Sequence, residues 1–557
     1  MKLLSCISMC CKFLIWLFVI SCFSSSAFAA FGLSSTTDFY TVDTGAGLVF
    51  KVRRTDNGVS TQSAGDIASI VFNGVEYQNQ SRGSQINSGF DWVYSTTSAV
   101  TVSASVINTN YIKVAVQAGD LTHYYMARSG YPHIYMATHF TSEPQLGHVR
   151  YILRLSGTLL PNGPTPSDIS QTVSTVESGD IFALANGETR SKHYSNMRLK
   201  DWSYIGATGS SVGMWVVRDN QEGGSGGPFY RSLLNQHGGD QEITYIVNYG
   251  EAQTEAFRLG VLNSYTFVAT TGAAPSTSLD TSWFANMGLT GYVAAANRGR
   301  VAGVSINGRV SGFNYTVGFA NSKAQYWTDV TSTGYFNSTG MIPGTYTMTT
   351  YKNELAVDTR SVTVTAGGIT TLNSFTIAGD PASSAAIWRI GNWDGSPVEF
   401  LNGDKLTTMH PSDVRISTWN PTSFIVGTSG NTGFPAYVWK DVNNDRVIYF
   451  KLTAAQLAAG HKLRIGLTTA FSGARPKVTV NSWVSANPAA STQPDTRTLT
   501  VGTYRGNNVT YSYDIPATAW QTDPNTWNTL IVTAISGSGS TAYLSAGFSV
   551  DALDLLQ

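Results

Sequence analysis

Apolar and polar residues alternate with a period of two along most of this chain. Val100-Thr-Val-Ser-Ala-Ser-Val106, Tyr111-Ile-Lys-Val-Ala-Val116 and Ser361-Val-Thr-Val-Thr365 are clear cases. Successive side chains on a strand point to opposite faces, so this period predicts strands with one buried face. Turn signals such as Asp56-Asn-Gly58 and Asn73-Gly74 punctuate the runs. Helical periodicity is nearly absent, and Thr453 to Ala459 and Ser282 to Met287 are each expected to make one or two turns. The predicted class is all-β.

The spacing of these runs divides the chain. Residues 30–286 exceed an immunoglobulin-size sandwich, which predicts a large sandwich of extended sheets. Shorter strands follow over 287–378, where Met341-Ile-Pro-Gly-Thr-Tyr-Thr-Met348 reads as a turn feeding a strand, as in small fibronectin-like sandwiches. Ala378-Gly-Asp-Pro-Ala-Ser-Ser-Ala385 is small, polar and Pro-containing, and reads as a linker. Residues 387–557 form a third β region of jelly-roll size.

Composition adds the compartment. Residues 1–29 carry Lys2 and Lys12 around the apolar run Phe13–Ile20 and end in Ala27-Phe28-Ala29, the pattern of a secretory signal peptide with its cleavage site. All four cysteines lie in that segment, so a mature chain has no disulfide and must rely on buried cores. Basic and acidic residues number 35 each and only 13% of residues are charged, which argues against a nucleic-acid or anionic-membrane partner. Asn79, Asn314, Asn337 and Asn508 open glycosylation sequons, in keeping with an extracellular glycoprotein. Nothing demands more than a monomer.

Several segments, in order along the chain, resemble the fungal rhamnogalacturonan lyases of polysaccharide lyase family 4. They include Leu159-Leu-Pro-Asn162, Gly187-Glu-Thr-Arg-Ser-Lys192, Ser225-Gly-Gly-Pro-Phe229, Gln253-Thr-Glu255, Asn392-Trp-Asp-Gly395, Met409-His-Pro-Ser-Asp413 and Tyr504-Arg-Gly506. The resemblance implies a catalytic β-sandwich related to galactose mutarotase, a fibronectin type III-like domain and a carbohydrate-binding-like jelly roll. It also implies cleavage of rhamnose–galacturonate bonds in pectin rhamnogalacturonan I by β-elimination.

Elimination removes the C5 proton of a uronate, which is weakly acidic unless the adjacent carboxylate is neutralised. Cationic groups must face that carboxylate while a base takes the proton and an acid protonates the departing oxygen. Lys192 aligns with the lysine that the family uses as base. Arg190, two residues earlier, is expected on the same strand face. Arg150 resembles the family's carboxylate ligand, and Arg154, four residues on, points the same way on a strand. Arg497 resembles an arginine that reaches the uronate from the C-terminal domain. Phe229, in the glycine-rich loop Glu222–Tyr230, offers a stacking face for sugar, with a plain turn as the alternative. Tyr245 stands near positions where the family carries tyrosines, matched here by Thr244 and Ile246.

The chain departs from the family at Glu251, which replaces a catalytic histidine. A buried Glu251 could act as acid; His193 or a tyrosine could substitute, although His193 points away from Lys192 on a regular strand. The third alternative is a weakened or inactive homologue that binds pectin without turnover, and a hydrolase on the same polymer is a further class. No cofactor is required and no metal-ligand spacing appears among His123, His133, His139 and His410. Asp441-Val-Asn-Asn-Asp445 lacks the glycine and distal glutamate of a calcium loop and reads as a turn, so a structural calcium has no motif behind it.

Overall fold

The computed structural model describes residues 30–557 apart from 60, 95–98, 146, 193–196, 221, 233–234, 250–254, 497–506 and 537–539. The N-terminal basic and apolar segment, His193, Glu251 and Arg497 therefore lie outside the described residues. The chain is nearly all β. The alternating runs appear as the strands Val100–Asn108, Tyr111–Ala118 and Leu355–Val364. Asn73 and Gly74 both take positive φ, 50° and 82°, which makes the tight turn between Ile67–Phe72 and Val75–Glu76. Of the two short helical expectations, Ser282–Asn286 is a 3-10 turn, and Ala454–Leu457 is α-helical behind a Thr453–Gln456 capping box.

Three sheets share the first and largest core. Five strands between Gly32 and Glu76 form a meander, and seven strands order as Tyr204–Gly209, Val212–Arg218, Leu262–Thr270, His133–Phe140, Leu121–Arg128, Tyr111–Ala118 and Val100–Asn108. Opposite them lie Asn235–His237, Asp240–Tyr249, His148–Ser156 and Gln85–Ile86. Phe50, Ile112, Tyr151, Tyr245 and Phe267, one or more from each sheet, meet in that core. A smaller sheet of Ser174–Glu177, Ile181–Ala183 and Thr189–Ser191 stands beside it.

After Thr281 the chain lays Trp283, Phe284 and Met287 on the outer face of the seven-stranded sheet, with Trp283 stacked on Tyr111 at 4.7 Å. A second core gathers Val301, Phe319, Tyr346 and Val362, and a third gathers Trp388, Trp439, Ile465 and Phe548 between two five-stranded sheets. The segment read as a linker is pinned rather than loose. Asp380 in it is buried against Lys352, whose Nζ lies 2.6 and 2.7 Å from the carboxylate oxygens.

The tip of the Gly344–Lys352/Leu355–Val364 hairpin joins all three regions. Glu354 is buried and takes hydrogen bonds from Arg231 at 2.9 and 3.2 Å and from Arg198 at 3.1 Å, both in the first region. Its backbone N–H and that of Leu355 donate to the Asp394 carbonyl of the third region, and Asn508 donates to the Glu354 carbonyl. A buried carboxylate needs such pairing, because desolvating it alone is costly.

Candidate active site

Arg150 stands on His148–Ser156, where Val149, Tyr151, Leu153 and Leu155 face the core. Arg150 and Arg154 therefore share the opposite face, as their spacing predicts. A bulge in the pairing with Asp240–Tyr249 sets Val149 against Asn248 but Arg150 against Ile246, skipping Val247. Bulges re-aim side chains, and this one falls at the arginine. Asn87, in the left-handed conformation at φ 46°, holds the strand there. Its side-chain carbonyl accepts the Arg150 N–H at 2.6 Å, its N–H donates to the Arg150 carbonyl, and its amide donates to the His148 carbonyl. Arg150 is half-buried, and its buried Nε has no hydrogen-bond partner among the described residues. Across the strand, Gln85 pairs with Ile152, is fully buried, and has neither amide atom bonded among the described residues.

Arg154 has a different setting from the expected substrate face. It is buried, donates to the Gly83 and Asn87 carbonyls at 2.7 and 3.0 Å, and lies 3.4 Å from Glu242. Its two terminal nitrogens are spent on the fold. Burial, followed by the nearby Arg82 charge, lowers its pKa.

Lys192 follows Thr189–Ser191, whose Arg190 pairs with Phe182 on Ile181–Ala183. The ammonium donates to the Gly179 carbonyl at 3.0 Å, lies 3.2 Å from Asp180 and 5.9 Å from the Phe182 ring centre. It is about a quarter exposed, at 26%. To accept a proton, the amine must first give up the one that its ammonium carries beside the Asp180 carboxylate. Arg190 forms an ion pair with Glu188 at 3.2 Å, so its charge is compensated locally.

This hairpin is clamped by the third region. Asp413 accepts both the N–H and the hydroxyl of Thr189 at 2.7 Å and is gripped by Arg415 at 2.7 and 2.8 Å. Although burial works the other way, Arg415 and the Thr189 N–H hold the Asp413 carboxyl well below the usual carboxylate range. The His410 N–H donates to the Thr189 hydroxyl, and its ring lies 3.4 Å from Glu177. Two separate motifs of the chain, Gly187–Lys192 and Met409–Asp413, thus meet face to face. The Lys192 sheet touches the 3-10 turn Thr165–Ser167, which touches Asn235–His237 at the edge of the Arg150 sheet. Lys192 and Arg150 therefore stand on two sheets of one domain that the Thr165–Ser167 turn links, without a direct bond between them among the described residues.

Two expected sugar contacts are core residues instead. Tyr245 is 1% exposed, stacks on Tyr265 at 4.0 Å and donates to the Asn220 carbonyl. Phe229 is 1% exposed and packs edge-on against Tyr351 at 5.0 Å. The glycines of its loop serve close approach between regions: Gly227 at φ 66° donates to Gln325 at 3.0 Å. Asn87 and Gln85 escaped sequence reading. An asparagine preceding Ser88-Gly89 signals a turn, but nothing in it says which strand the turn brackets.

Family models cover nearly all of this architecture. Residues 31–291 match the N-terminal domain of rhamnogalacturonan lyase B, 297–372 match domain II of polysaccharide lyase family 4, and 386–555 match its domain III. "Probable rhamnogalacturonate lyase A" of Aspergillus terreus is 42% identical over 527 residues, covering 94% of each chain. The chain belongs to polysaccharide lyase family 4. "Rhamnogalacturonate lyase A" of Aspergillus aculeatus is 41% identical across 95% of this chain and 97% of its own, and that of Emericella nidulans is 41% identical across 95% and 96%. In this member the Gly187–Lys192 and Met409–Asp413 segments are the two halves of one contact.

Proposed function

We propose that this protein is a secreted rhamnogalacturonan endolyase, cleaving rhamnose–galacturonate bonds by β-elimination. The observation that carries the reading is Arg150: a bulged, Asn87-braced arginine whose buried Nε is unspent, in a chain about 40% identical to named rhamnogalacturonate lyases over nearly its whole length. A guanidinium fork suits a uronate carboxylate, and neutralising that carboxylate stabilises the enolate-like charge at C5. Lys192 takes the C5 proton, the C4–O bond breaks, and the electron pair left by the proton forms the C4–C5 double bond. In this scheme Glu251 has the role of returning a proton to the departing oxygen and Arg497 that of a second carboxylate ligand, by their positions in the family's pattern. Arginines rather than a cofactor supply the positive charge in this scheme. Residues 1–29 direct export. No helix among the described residues is long and apolar enough to cross a membrane.

Incubation with rhamnogalacturonan I tests the reading. Elimination leaves an unsaturated uronate that absorbs in the ultraviolet, so absorbance should grow with time. Reducing ends without absorbance would mean hydrolysis, and retention without either would mean a binding protein; relatives of this likeness, named as lyases, favour neither. Lys192→Ala should lower kcat by about 10²–10⁴-fold, the range for loss of a general base, and full activity in that variant would remove Lys192 from the scheme.

A further inference from the structure

Asn87, which braces Arg150 through its side chain and its backbone, leads into a turn that presents a tryptophan to solvent. The Gly89 N–H donates to the Ile86 carbonyl at 2.8 Å, and Phe90–Trp92 form a 3-10 turn in which the Trp92 N–H donates to the Gly89 carbonyl at 3.2 Å. Side chains three apart eclipse on such a turn. Here Phe90 and Val93 both enter the core, with the Phe90 ring 5.5 Å from that of His123, so Trp92 is turned outward and stands 57% exposed. We infer that Trp92 is a specificity-determining subsite, the surface on which a rhamnose neighbouring the Arg150-bound galacturonate stacks; the inference rests on the rhamnogalacturonan reading above.

The placement is fixed by the backbone. Gly89 has φ 141°, and a side chain there would collide with Asp91 and Ser63. Trp92 is five residues from Asn87, at most about 18 Å of fully extended chain, and the two turn hydrogen bonds shorten that span. A polysaccharide anchored by a carboxylate on Arg150 therefore meets the indole within a few sugar rings. The ring is also unoccupied. Trp527 and Tyr131, exposed as well, carry Lys451 and Arg128 over their faces at 4.8 and 4.7 Å. The Trp92 side chain has no aromatic, cationic or hydrogen-bonding partner among the described residues.

The chemistry of an indole chooses between the two sugars of the polymer. Its broad face is apolar and carries the negative part of the ring quadrupole. Rhamnose is a 6-deoxy sugar, with a methyl group at the carbon where galacturonate has its carboxylate. Its C–H face and methyl suit the indole, whereas a carboxylate laid there is desolvated and repelled. Because the sugars alternate, seating a uronate on Arg150 settles which neighbouring positions hold rhamnose. A chain of galacturonate alone satisfies Arg150 equally but brings an anionic ring to every position. Arg150 thus recognises a uronate and Trp92 recognises what stands beside it.

The test is calorimetry in a Lys192→Ala background, which keeps the ligand intact, with a rhamnose–galacturonate hexasaccharide and a galacturonate hexasaccharide as probes. Adding Trp92→Ala should weaken binding of the first about five- to twentyfold, as for loss of an aromatic anchor, and of the second by less than about twofold. Trp92→Phe keeps an aromatic face and should recover most of the loss. In the otherwise unaltered chain Trp92→Ala should raise KM on the polymer while kcat and the melting temperature stay as they are, the pattern of lost uniform binding. Unchanged hexasaccharide binding in Trp92→Ala, an equal loss for both probes, or a loss that phenylalanine does not restore would overturn the inference. A chain that binds the hexasaccharide through Trp92 yet makes no unsaturated product would count against the lyase reading alone, so the two failures are distinguishable.

Discussion

At the residue scale the decisive property is whether a polar group has been used up. Arg150 and Arg154 are identical in type and share a strand face, and the buried Nε of each lacks a hydrogen bond, yet the terminal nitrogens of Arg154 are taken by the Gly83 and Asn87 carbonyls and its charge by Glu242 3.4 Å away, while Arg150 shows no such side-chain partner among the described residues. Replacing Arg150 by Lys keeps the charge and loses the fork. Steady-state kinetics on the polymer should then show kcat/KM down about 10- to 100-fold, since each 1.4 kcal/mol of lost transition-state binding is tenfold. The sequons divide in the same way. Asn314 and Asn337 are exposed, whereas the Asn508 amide donates to the Glu354 carbonyl at 3.1 Å. Intact mass and peptide mapping of protein secreted from a eukaryotic host should find glycan at Asn314 and Asn337 and none at Asn508. Sequence reading singles out Lys192 and Arg150 as candidates because their motifs and spacing carry them. It could not foresee that Tyr245 and Phe229 pack into the interior, because a residue type names what a side chain can do, while burial decides what it meets.

At the scale of elements, alternation located the strands but not which of their two faces meets water. The His148–Ser156 strand is covered on both sides for much of its length, so period two separated the arginines from the core residues and could not say which arginine is open. The bulge that re-aims Arg150 arises from register with a partner about a hundred residues away and leaves no local mark. The Thr189–Ser191 hairpin is similar: its sequence is legible as a motif, its dependence on Asp413 is not. Asp413→Ala should leave far-ultraviolet circular dichroism intact but cost about 1.5–3 kcal/mol in urea unfolding, as expected for hydrogen bonds to a charged acceptor. Activity should fall with it, because the Lys192 hairpin loses its backing; retention of full kcat would show that the hairpin holds its place alone.

For the whole molecule, buried acids set the response to pH. Burial raises Asp394 to about 6, Glu399 to about 7 and Asp219 to about 7, and holds Asp551 well above the usual carboxylate range, with the Asp394 charge adding to it. A raised carboxyl pKa contributes stability at low pH that is lost as pH rises through the folded value. Buried His123 and His133, lowered to about 3 and about 4, act in the opposite sense, but only below the ordinary histidine pKa. Above about pH 6.5 the acids act unopposed, so the melting temperature should fall between about pH 6.5 and 8. Asp551→Asn should flatten that slope; a melting temperature that rises with pH over the interval would contradict this assignment of burial.

The hairpin tip at Glu354 has one more implication. Because Arg198, Arg231, Asp394 and Asn508 all fasten to a single turn, peptide-bond continuity is not what keeps the three modules in company. A protease cut within residues 378–385 should yield fragments that co-elute as one particle, and changing Glu354 to Ala should be what lets them drift apart.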